Sequence, residues 1–396
     1  MIIKNADVYT EEGTFVRKDI YINDGFFANQ NNKRACLDCD SDADANTNVA
    51  KLHDEPEIDA TDCYAIPALT DIHFHGCVGY DFCDGSREAI AAMAEYEASV
   101  GVANIVPATM TLSEEALTNI CETAKAYKSE GRHEKRARLC GINMEGPFIS
   151  FSKKGAQNKD FIKAPDISMF DRLNEASGNM IRLVSIAPEL DGAMEFIEKK
   201  HGEVIVSLAH TDADYDTSVR AFEKGANHVT HLYNAMNPYT HRAPGPIGAA
   251  ADADGVDVEL ICDGVHIHPA AVRTTFKIFG DERIIFVSDS MRAAGLEDGS
   301  YTLGGQEVDV VGNLATLKDG TIAGSVTNLM DCLRTAVLKM GIPLEKAVKC
   351  AAVNSAKCIG IYDRCGSITV GKSADLVLLR KDSLETVNVI MDGKVL

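Results

Sequence analysis

Eight short apolar or β-branched runs that alternate with longer helical patterns place the strongest constraint on the fold of this chain. Such runs predict buried strands, and the amphipathic stretches between them predict helices, so the chain repeats a βα unit. The runs cover residues 66–75, 103–109, 139–145, 181–188, 204–210, 229–234, 258–265 and 283–289. Eight βα units over roughly 250 to 300 residues are typical of a TIM barrel.

The helical segments between the runs support this interpretation. The clearest are 86–100 and 111–130, and the second is expected to begin with a capping box formed by Thr111 and Glu114. A doubly wound parallel sheet is the alternative fold for alternating strands and helices. Because neither GxGxxG nor GxxxxGK[ST] follows any of the eight runs, the sequence favours the barrel.

Both ends of the chain contain short strand-like segments bounded by turn residues. Near the start, Asn23-Asp24-Gly25 is a hairpin signal, and 374–379 and 387–393 have the same character near the end. We therefore expect an α/β protein with a (β/α)8 barrel at 61–360. A small β-sandwich domain built from both chain termini is expected at 1–60 and 361–396.

The charge balance restricts the partners of the protein. With 39 Lys and Arg against 59 Asp and Glu, the net charge is -20, which disfavours general binding to nucleic acid or anionic membranes. An anionic small substrate would need a local cationic pocket. No apolar run approaches the about 18 residues of a spanning helix, and the first residues do not resemble a signal peptide, so we expect a cytoplasmic protein.

Cysteine spacing gives a weaker signal. Cys36 and Cys39 form a CxxC motif next to the acidic stretch 38–44. No second pair or nearby His completes a zinc-binding pattern, so a loop is favoured there over a metal or redox site.

Ionisable residues lie at the carboxyl ends of six of the eight runs. In a barrel these ends converge on one mouth, so residues far apart in sequence become neighbours there. Imidazoles and carboxylates without Lys or Arg among them suit divalent zinc, iron, cobalt or manganese. One such residue alone is more often a core His or a helix cap, but the set indicates a catalytic face. The residues are His73, His75, Glu145, His210, His231, His266 and Asp289.

The order HxH, Glu, His, His, Asp resembles the metal-dependent amidohydrolase superfamily. Within it, the local sequences are similar to the N-acetylglucosamine-6-phosphate deacetylases, over nearly the whole chain. The resemblance implies hydrolysis of N-acetyl-D-glucosamine 6-phosphate to D-glucosamine 6-phosphate and acetate in amino-sugar catabolism. The similar segments are 67–76, 144–148, 153–156, 207–211, 230–236, 263–266, 287–289, 323–325, 353–360 and 366–376.

The same resemblance implies a metal cofactor. Glu145, His210 and His231 match the ligands of the tighter metal site of the family. Some members lack the HxH pair, whereas His73 and His75 are both present here, which leaves room for a second ion. We expect one or two divalent metals per chain, with zinc first and iron, cobalt or manganese as alternatives.

Roles in catalysis and phosphate binding are also implied. Asp289 matches the general base and acid, and His266 matches the donor to the carbonyl oxygen. Asn234, the backbone at Ala235 and Arg242 match positions that hold the 6-phosphate. The resemblance further implies a homodimer in which Arg242 reaches the neighbouring active site.

One position departs from the family. The loop after Gly155 often carries a His that contacts sugar hydroxyls, but this chain has Ala156-Gln157. Gln can also donate and accept hydrogen bonds, so Ala156 and Gln157 are expected at the sugar.

Two alternatives stay open. One is another amidohydrolase, such as an N-acyl-amino-acid, cyclic-amide or purine-deaminating enzyme, although these usually lack the 145–148 and 231–236 segments in this form. The other is a catalytically dead amidohydrolase-like scaffold. Its expected mark is the loss of a metal ligand or of Asp289 at the end of the eighth run. This chain retains all of them.

Overall fold

The computed structural model describes residues 1–30, 56–131 and 133–396. The chain divides into two compact units, Met1–Ala68 with Gly360–Leu396, and Leu69–Ile359. The predicted domain boundaries, 1–60 with 361–396 and 61–360, stay a prediction. Cys36, Cys39 and the acidic stretch lie outside the described residues. Among the helices that are described, none combines the length and the apolar character needed to cross a bilayer.

The N-terminal residues contribute five strands to one sheet. β1 pairs antiparallel with β2 and parallel with β4 and β5. β2 and β3 form the predicted hairpin, and Asp24 and Gly25 adopt the positive φ angles (50° and 83°) that such a tight turn requires. The strands are β1 (Ile2–Tyr9), β2 (Phe15–Asn23), β3 (Phe26–Ala28), β4 (Glu57–Asp59) and β5 (Cys63–Pro67).

Parallel strands form the barrel of the second unit, and they match the eight predicted runs. The sheet segments follow the orders β10-β9-β6 and β11-β12-β13-β14-β15-β16. The strands are β6 (Leu69–Asp71), the short hairpin β7 (Gly76–Cys77) and β8 (Tyr80–Asp81), β9 (Val102–Ile105), β10 (Arg138–Leu139), β11 (Ile142–Met144), β12 (Ile181–Ile186), β13 (Ile205–Leu208), β14 (His228–Val229), β15 (Asp257–Ile261) and β16 (Ile284–Val287).

Contacts at both ends of these segments close the ring. A parallel bridge between Ala108, which follows β9, and Asn143, which lies in β11, links these two strands. On the other side, the Asp289 amide donates to the His73 carbonyl oxygen (2.9 Å), which joins the ends of β16 and β6. The last barrel strand, β16, is thereby joined to the first, β6.

A helix follows each barrel strand. The predicted capping box is wrong, because Ser113 caps the second helix by accepting a hydrogen bond from the Ala116 amide, while the Thr111 amide donates to Gln157 instead. A π-helical segment (Lys349–Val353) joins the last two helices. The helices are α1 (Arg87–Ser99), α2 (Glu114–Ser129), α3 (Ile167–Ala176), α4 (Ala193–Lys200), α5 (Tyr215–Glu223), α6 (Gly245–Asp252), α7 (Pro269–Phe279), α8 (Leu329–Leu338), α9 (Leu344–Val348) and α10 (Asn354–Cys358).

An antiparallel meander, which the sequence analysis missed, separates β16 from α8. It comprises β17 (Gly299–Leu303), β18 (Gln306–Val311) and β19 (Leu314–Thr316). Its buried side chains pack against Met110 and Met291, so it forms a small core of its own beside the barrel mouth.

The C-terminal strands complete the first sheet. β20 (Leu376–Arg380) pairs antiparallel with β5, followed by β21 (Thr386–Met391) and β22 (Lys394–Val395). The full order is β22-β21-β20-β5-β1-β2-β3, with β4 beside β1. The predicted fold class, an α/β TIM barrel with a β unit built from both termini, is confirmed.

Candidate active site

The predicted ionisable residues follow the carboxyl ends of barrel strands. They occupy the first few positions after β6, β11, β13, β14 and β16, and each is at least nine-tenths buried. The barrel therefore gathers onto one mouth residues that are more than 200 positions apart in sequence. They are His73, His75, Glu145, His210, His231 and Asp289.

Three of these residues have an unusual backbone conformation. His210, His231 and Asp289 adopt positive φ angles of 44°, 29° and 47°. This conformation costs of order 1–3 kcal/mol for a residue with a Cβ, so it persists only where the surroundings hold it. At Asp289 the support is direct, because its carbonyl oxygen accepts a hydrogen bond from the Ser325 amide (2.7 Å).

The Glu145 carboxylate lies at the centre of the cluster. Its Oε1 is 3.2 Å from His210 Nε2, 3.1 Å from His231 Nε2 and 3.4 Å from His73 Nε2. Its Oε2 is 3.2 Å from His75 Nε2. Glu145 is therefore shared by two groups of ligand atoms, one with His73 and His75 and one with His210 and His231.

The orientation of the imidazoles tests whether this donor set fits a metal. His73 Nδ1 faces Glu259 Oε2 (2.8 Å), and His210 Nδ1 faces the Lys153 carbonyl oxygen (2.9 Å). A ring nitrogen that faces an acceptor carries the proton, so in the neutral rings both Nε2 lone pairs point at Glu145. Lone pairs and a carboxylate repel each other unless a cation lies between them, so these residues fit a divalent ion.

The electrostatics of the cluster point the same way. Burial lowers the pKa of His75, but its hydrogen bonds and charge interactions with Asp289 and Glu145 raise it to about 10. Burial raises the pKa of Glu145, yet the surrounding histidines hold it well below its usual range. The site strongly attracts positive charge, which either protons or a metal can provide, so protons and metal compete for it.

Asp289 is ionised in this environment. Burial raises its pKa, but the hydrogen bond with His75 and the charges of His73 and His75 hold it below the usual value. Its Oδ1 lies 3.3 Å from His75 Nε2. An ionised carboxylate at this position can accept a proton from a water molecule in the mouth.

His266 is held by a neighbouring acid. Its Nδ1 is 2.7 Å from Asp263 Oδ2, and Asp263 Oδ1 also accepts the His266 amide (2.9 Å). Burial lowers the pKa of His266, but Asp263 and the charge of Asp289 raise it above the usual value. Because Nδ1 donates to Asp263, Nε2 is free to act on a substrate.

A cavity of about 520 Å³ opens above these residues. Of the predicted site residues, His73 and Arg242 do not line it. His73 is fully buried beside Glu145, and Arg242 is exposed in the loop before α6. The predicted residues that do line the cavity are His75, Glu145, Ala156, Gln157, His210, His231, Asn234, Ala235, His266 and Asp289.

Gln157 makes two buried hydrogen bonds. Its Nε2 donates to Glu145 Oε2 (2.7 Å), and its Oε1 accepts from the Thr111 amide (2.6 Å). Both ends of the side-chain amide are therefore engaged with the protein. In this arrangement Gln157 supports Glu145, and its predicted contact with sugar hydroxyls stays a prediction.

Sequence reasoning missed Glu259, a fully buried residue of β15. Its Oε2 accepts from His73 Nδ1 and from the His231 amide (3.0 Å). Burial raises the pKa of Glu259, but the charge and hydrogen bond of His73 lower it below the usual value. The signal that could have found it is an acid inside the otherwise apolar run 258–262.

Part of the cavity wall was not predicted from the sequence. Lys153 and Lys154 line the cavity, as does Leu303 at the end of β17. The side-chain amide of Gln306, the first residue of β18, donates to the Ala156 carbonyl oxygen. Nothing in the sequence pattern indicated that this meander faces the 151–157 loop.

Comparisons with known proteins show which proteins this chain resembles. The amidohydrolase family model matches residues 64–396. The N-acetylglucosamine-6-phosphate deacetylase of Bacillus subtilis is 36% identical over 398 residues, covering 100% of this chain and 96% of the relative. An N-acetylgalactosamine-6-phosphate deacetylase of Escherichia coli O157:H7 is 33% identical over 315 residues, covering 79% of this chain and 82% of the relative.

Solved structures are similar over the whole chain. A mutant N-acetyl-D-glucosamine-6-phosphate deacetylase from Mycobacterium smegmatis, in complex with N-acetyl-D-glucosamine-6-phosphate, has a TM-score of 0.87 and 30% identity, covering 100% of this chain and 98% of that chain. The deacetylase from Thermotoga maritima has a TM-score of 0.85 and 28% identity, with 100% and 99% covered.

Proposed function

Because this chain belongs to the amidohydrolase family, we propose that it hydrolyses N-acetyl-D-glucosamine 6-phosphate to D-glucosamine 6-phosphate and acetate. The observation that carries the proposal is the cluster around Glu145, with ionised Asp289 beside it, in a chain whose relatives are deacetylases over its full length. We place the enzyme in cytoplasmic amino-sugar catabolism, with neither nucleic acid nor membrane as a partner.

The donor set supports a divalent metal cofactor. Glu145, His210 and His231 would hold one ion, and His73 and His75 would hold a second together with Glu145. Nitrogen and oxygen donors of this kind favour zinc first, with iron, cobalt or manganese as alternatives. When bound, such an ion polarises the acetamide carbonyl and makes the attacking water more acidic.

Asp289 carries the proton transfers in this proposal. It accepts a proton from water as the water oxygen attacks the acetamide carbon. The carbon–nitrogen bond then breaks, and Asp289 returns the proton to the departing amine, which would otherwise leave poorly. The products are acetate and the free amino sugar phosphate.

His266 stabilises the charge that develops during this attack. Its Nε2 donates a hydrogen bond to the carbonyl oxygen as that oxygen becomes negative. The Asp263 carboxylate holds Nδ1 and thereby presents Nε2 to the cavity. A donor that is already in place needs no reorganisation at the moment of reaction.

We place the 6-phosphate at Asn234 and the backbone of Ala235, which both line the cavity. In a homodimer, Arg242 of the neighbouring chain would also contact it. The exposed position of Arg242, outside the cavity lining of its own chain, supports a contact with another subunit. An arginine suits phosphate because its planar fork donates paired hydrogen bonds.

The test combines metal analysis with a substrate panel. The purified protein is assayed for bound metal and for acetate release from N-acetylglucosamine and N-acetylgalactosamine, each with and without the 6-phosphate, and from an N-acetyl amino acid. We expect turnover of the phosphorylated glucosamine derivative, loss of turnover on chelation and recovery with a divalent metal.

Three results would contradict the proposal. Full activity in exhaustively metal-stripped protein would remove the metal from the mechanism. Faster turnover of N-acyl amino acids or cyclic amides would point to another amidohydrolase. A metal-loaded protein that releases no acetate from any substrate would support the scaffold alternative.

A further inference from the structure

We propose that Lys154 binds the phosphate of the substrate from within the same chain and so contributes to selection of the phosphorylated sugar. The inference rests on the proposed function, because it concerns how the same cavity distinguishes N-acetylglucosamine 6-phosphate from its unphosphorylated form.

The first argument is the supply of positive charge. Apart from the histidines, the cations among the described residues that line the cavity are Lys153 and Lys154. The Lys153 ammonium lies 3.5 Å from Asp212 Oδ1, so a carboxylate already offsets its charge. Lys154 Nζ donates to the Gly155 carbonyl oxygen (3.1 Å) and, within the described part of the chain, forms no ion pair. No carboxylate of the described residues lies within ion-pair distance to offset its charge, and its effect on the more distant Asp319 is small.

The second argument is the place of Lys154 in the cavity. The next residue, Gly155, lies between His210 and Ala235, because an added Cβ would be 3.4 Å from His210 Cε1 and 3.9 Å from the Ala235 Cβ. Lys154 thus belongs to a segment that adjoins Ala235, where the phosphate is proposed to bind. The carboxylate of Glu145 lies deeper, among the buried ligands.

The charge of Lys154 also acts weakly on Asp319, in the turn before Thr321. The pKa of the exposed Asp319 carboxyl is lowered, chiefly by hydrogen bonds from Thr321 and to a smaller extent by the charge of Lys154. Thr321 itself lines the cavity. Lys154 is half-buried whereas Glu145 is buried, so the lysine lies closer to solvent than the base of the cavity does.

A cation at this place favours one orientation of the substrate in the cavity over the reverse orientation. A phosphate monoester carries about -1.5 to -2 charges at neutral pH, so metal ions at the base of the cavity would attract it as well as the acetamide. A lysine near the opening favours the orientation that keeps the phosphate outside and brings the acetamide to the base. The net charge of -20 makes such local compensation more important.

The experiment compares Lys154→Met with Lys159→Met. Lys159 is exposed, lies on the same segment and does not line the cavity, so its substitution controls for the loss of one surface charge. We expect Lys154→Met to lower kcat/KM for N-acetylglucosamine 6-phosphate about tenfold, mostly through KM, because a hydrogen bond to a charged group is lost. Hydrolysis of N-acetylglucosamine should change little, and Lys154→Arg should restore most of the loss.

Binding of D-glucose 6-phosphate and of D-glucose, followed by calorimetry, gives a readout that does not need turnover. Weaker binding of the phosphate ester alone by Lys154→Met supports the inference. An equal loss on phosphorylated and unphosphorylated ligands would mean that Lys154 supports the loop, and unchanged binding would mean that it does not touch the phosphate. Either result overturns the inference. Absence of deacetylation by the parent enzyme would instead overturn the proposed function, independently of the calorimetric result.

Discussion

Replacing Glu259 by Gln tests the idea that a buried carboxylate orients a metal ligand. Glu259 Oε2 accepts from His73 Nδ1 (2.8 Å) and from the His231 amide (3.0 Å). The Gln side chain has the same shape, and its oxygen can keep both hydrogen bonds. The substitution therefore removes the negative charge while leaving the packing in place.

The expected size of the effect follows from these contacts. A hydrogen bond to a charged partner contributes about 1.5–3 kcal/mol, and loss of a residue that orients a metal ligand typically costs about 10- to 100-fold in metal affinity. Because Glu259→Gln keeps both hydrogen bonds, we expect a loss of about tenfold. Glu259→Leu, which leaves the His73 and His231 donors without an acceptor, should reach the upper end of the range.

The assay is a chelator competition in a defined metal buffer, with bound metal per chain read by mass spectrometry. Glu97→Gln is the matched control. Glu97 is also fully buried, but it lies outside the candidate ligand groups, and burial, which raises its pKa well above the usual value, favours the neutral acid that Gln resembles. Circular dichroism of each variant separates a loss of metal from a loss of fold.

Either of two results would refute this prediction. If Glu259→Gln and Glu259→Leu both bind metal as tightly as the parent, the contact with His73 does not orient a ligand. If Glu97→Gln lowers metal affinity as much as Glu259→Gln does, the effect reflects any buried substitution rather than this carboxylate.

Three other predictions concern catalysis, phosphate binding and stability. Asp289→Asn should lower kcat by about 10²- to 10⁴-fold while substrate still binds, and turnover close to that of the parent would place the base elsewhere. Arg242→Ala should lower kcat/KM for the phosphorylated substrate by roughly 10- to 150-fold. Mixing Arg242→Ala chains with Asp289→Asn chains should restore part of the activity if Arg242 acts across a dimer. No recovery despite proven subunit exchange would exclude a contact across the dimer. Burial raises the pKa of Asp257 to about 6, because the folded protein disfavours its charged form. The stability that goes with the neutral carboxyl is therefore fully present below the unfolded pKa near 3.8, and it is lost as pH rises through 6. Asp257→Asn should therefore raise the free energy of unfolding by about 1–3 kcal/mol at pH 8 and by less at pH 5. If the difference in denaturant midpoint between variant and parent is the same at both pH values, the prediction is contradicted.

The strands and the ligand cluster could be predicted because they depend on local pattern and on one rule of topology. Each barrel strand is an apolar run that needs only its own residues to be recognised. Once eight such runs form a barrel, their carboxyl ends meet, so Glu145, His210 and His231 come together whatever the intervening loops do.

Prediction from sequence was weakest where local signals compete. Thr111 and Glu114 have the spacing of a capping box, but the Thr111 amide donates to Gln157, which lies 46 residues away, and Ser113 caps the helix. The meander at 299–316 has strands of three to six residues, too short for a periodic signal to stand out.

The sequence by itself determined the barrel, its β unit from both termini and the residues at the barrel mouth. Only the tertiary structure decided how these residues are supported. His73 and Glu259 are 186 positions apart, and Gln157 meets Glu145 only because the 151–157 loop folds over the mouth. A hydrogen bond between remote residues depends on where the folded backbone places the donor and the acceptor. These two contacts therefore leave no periodic pattern in the sequence from which they could be predicted.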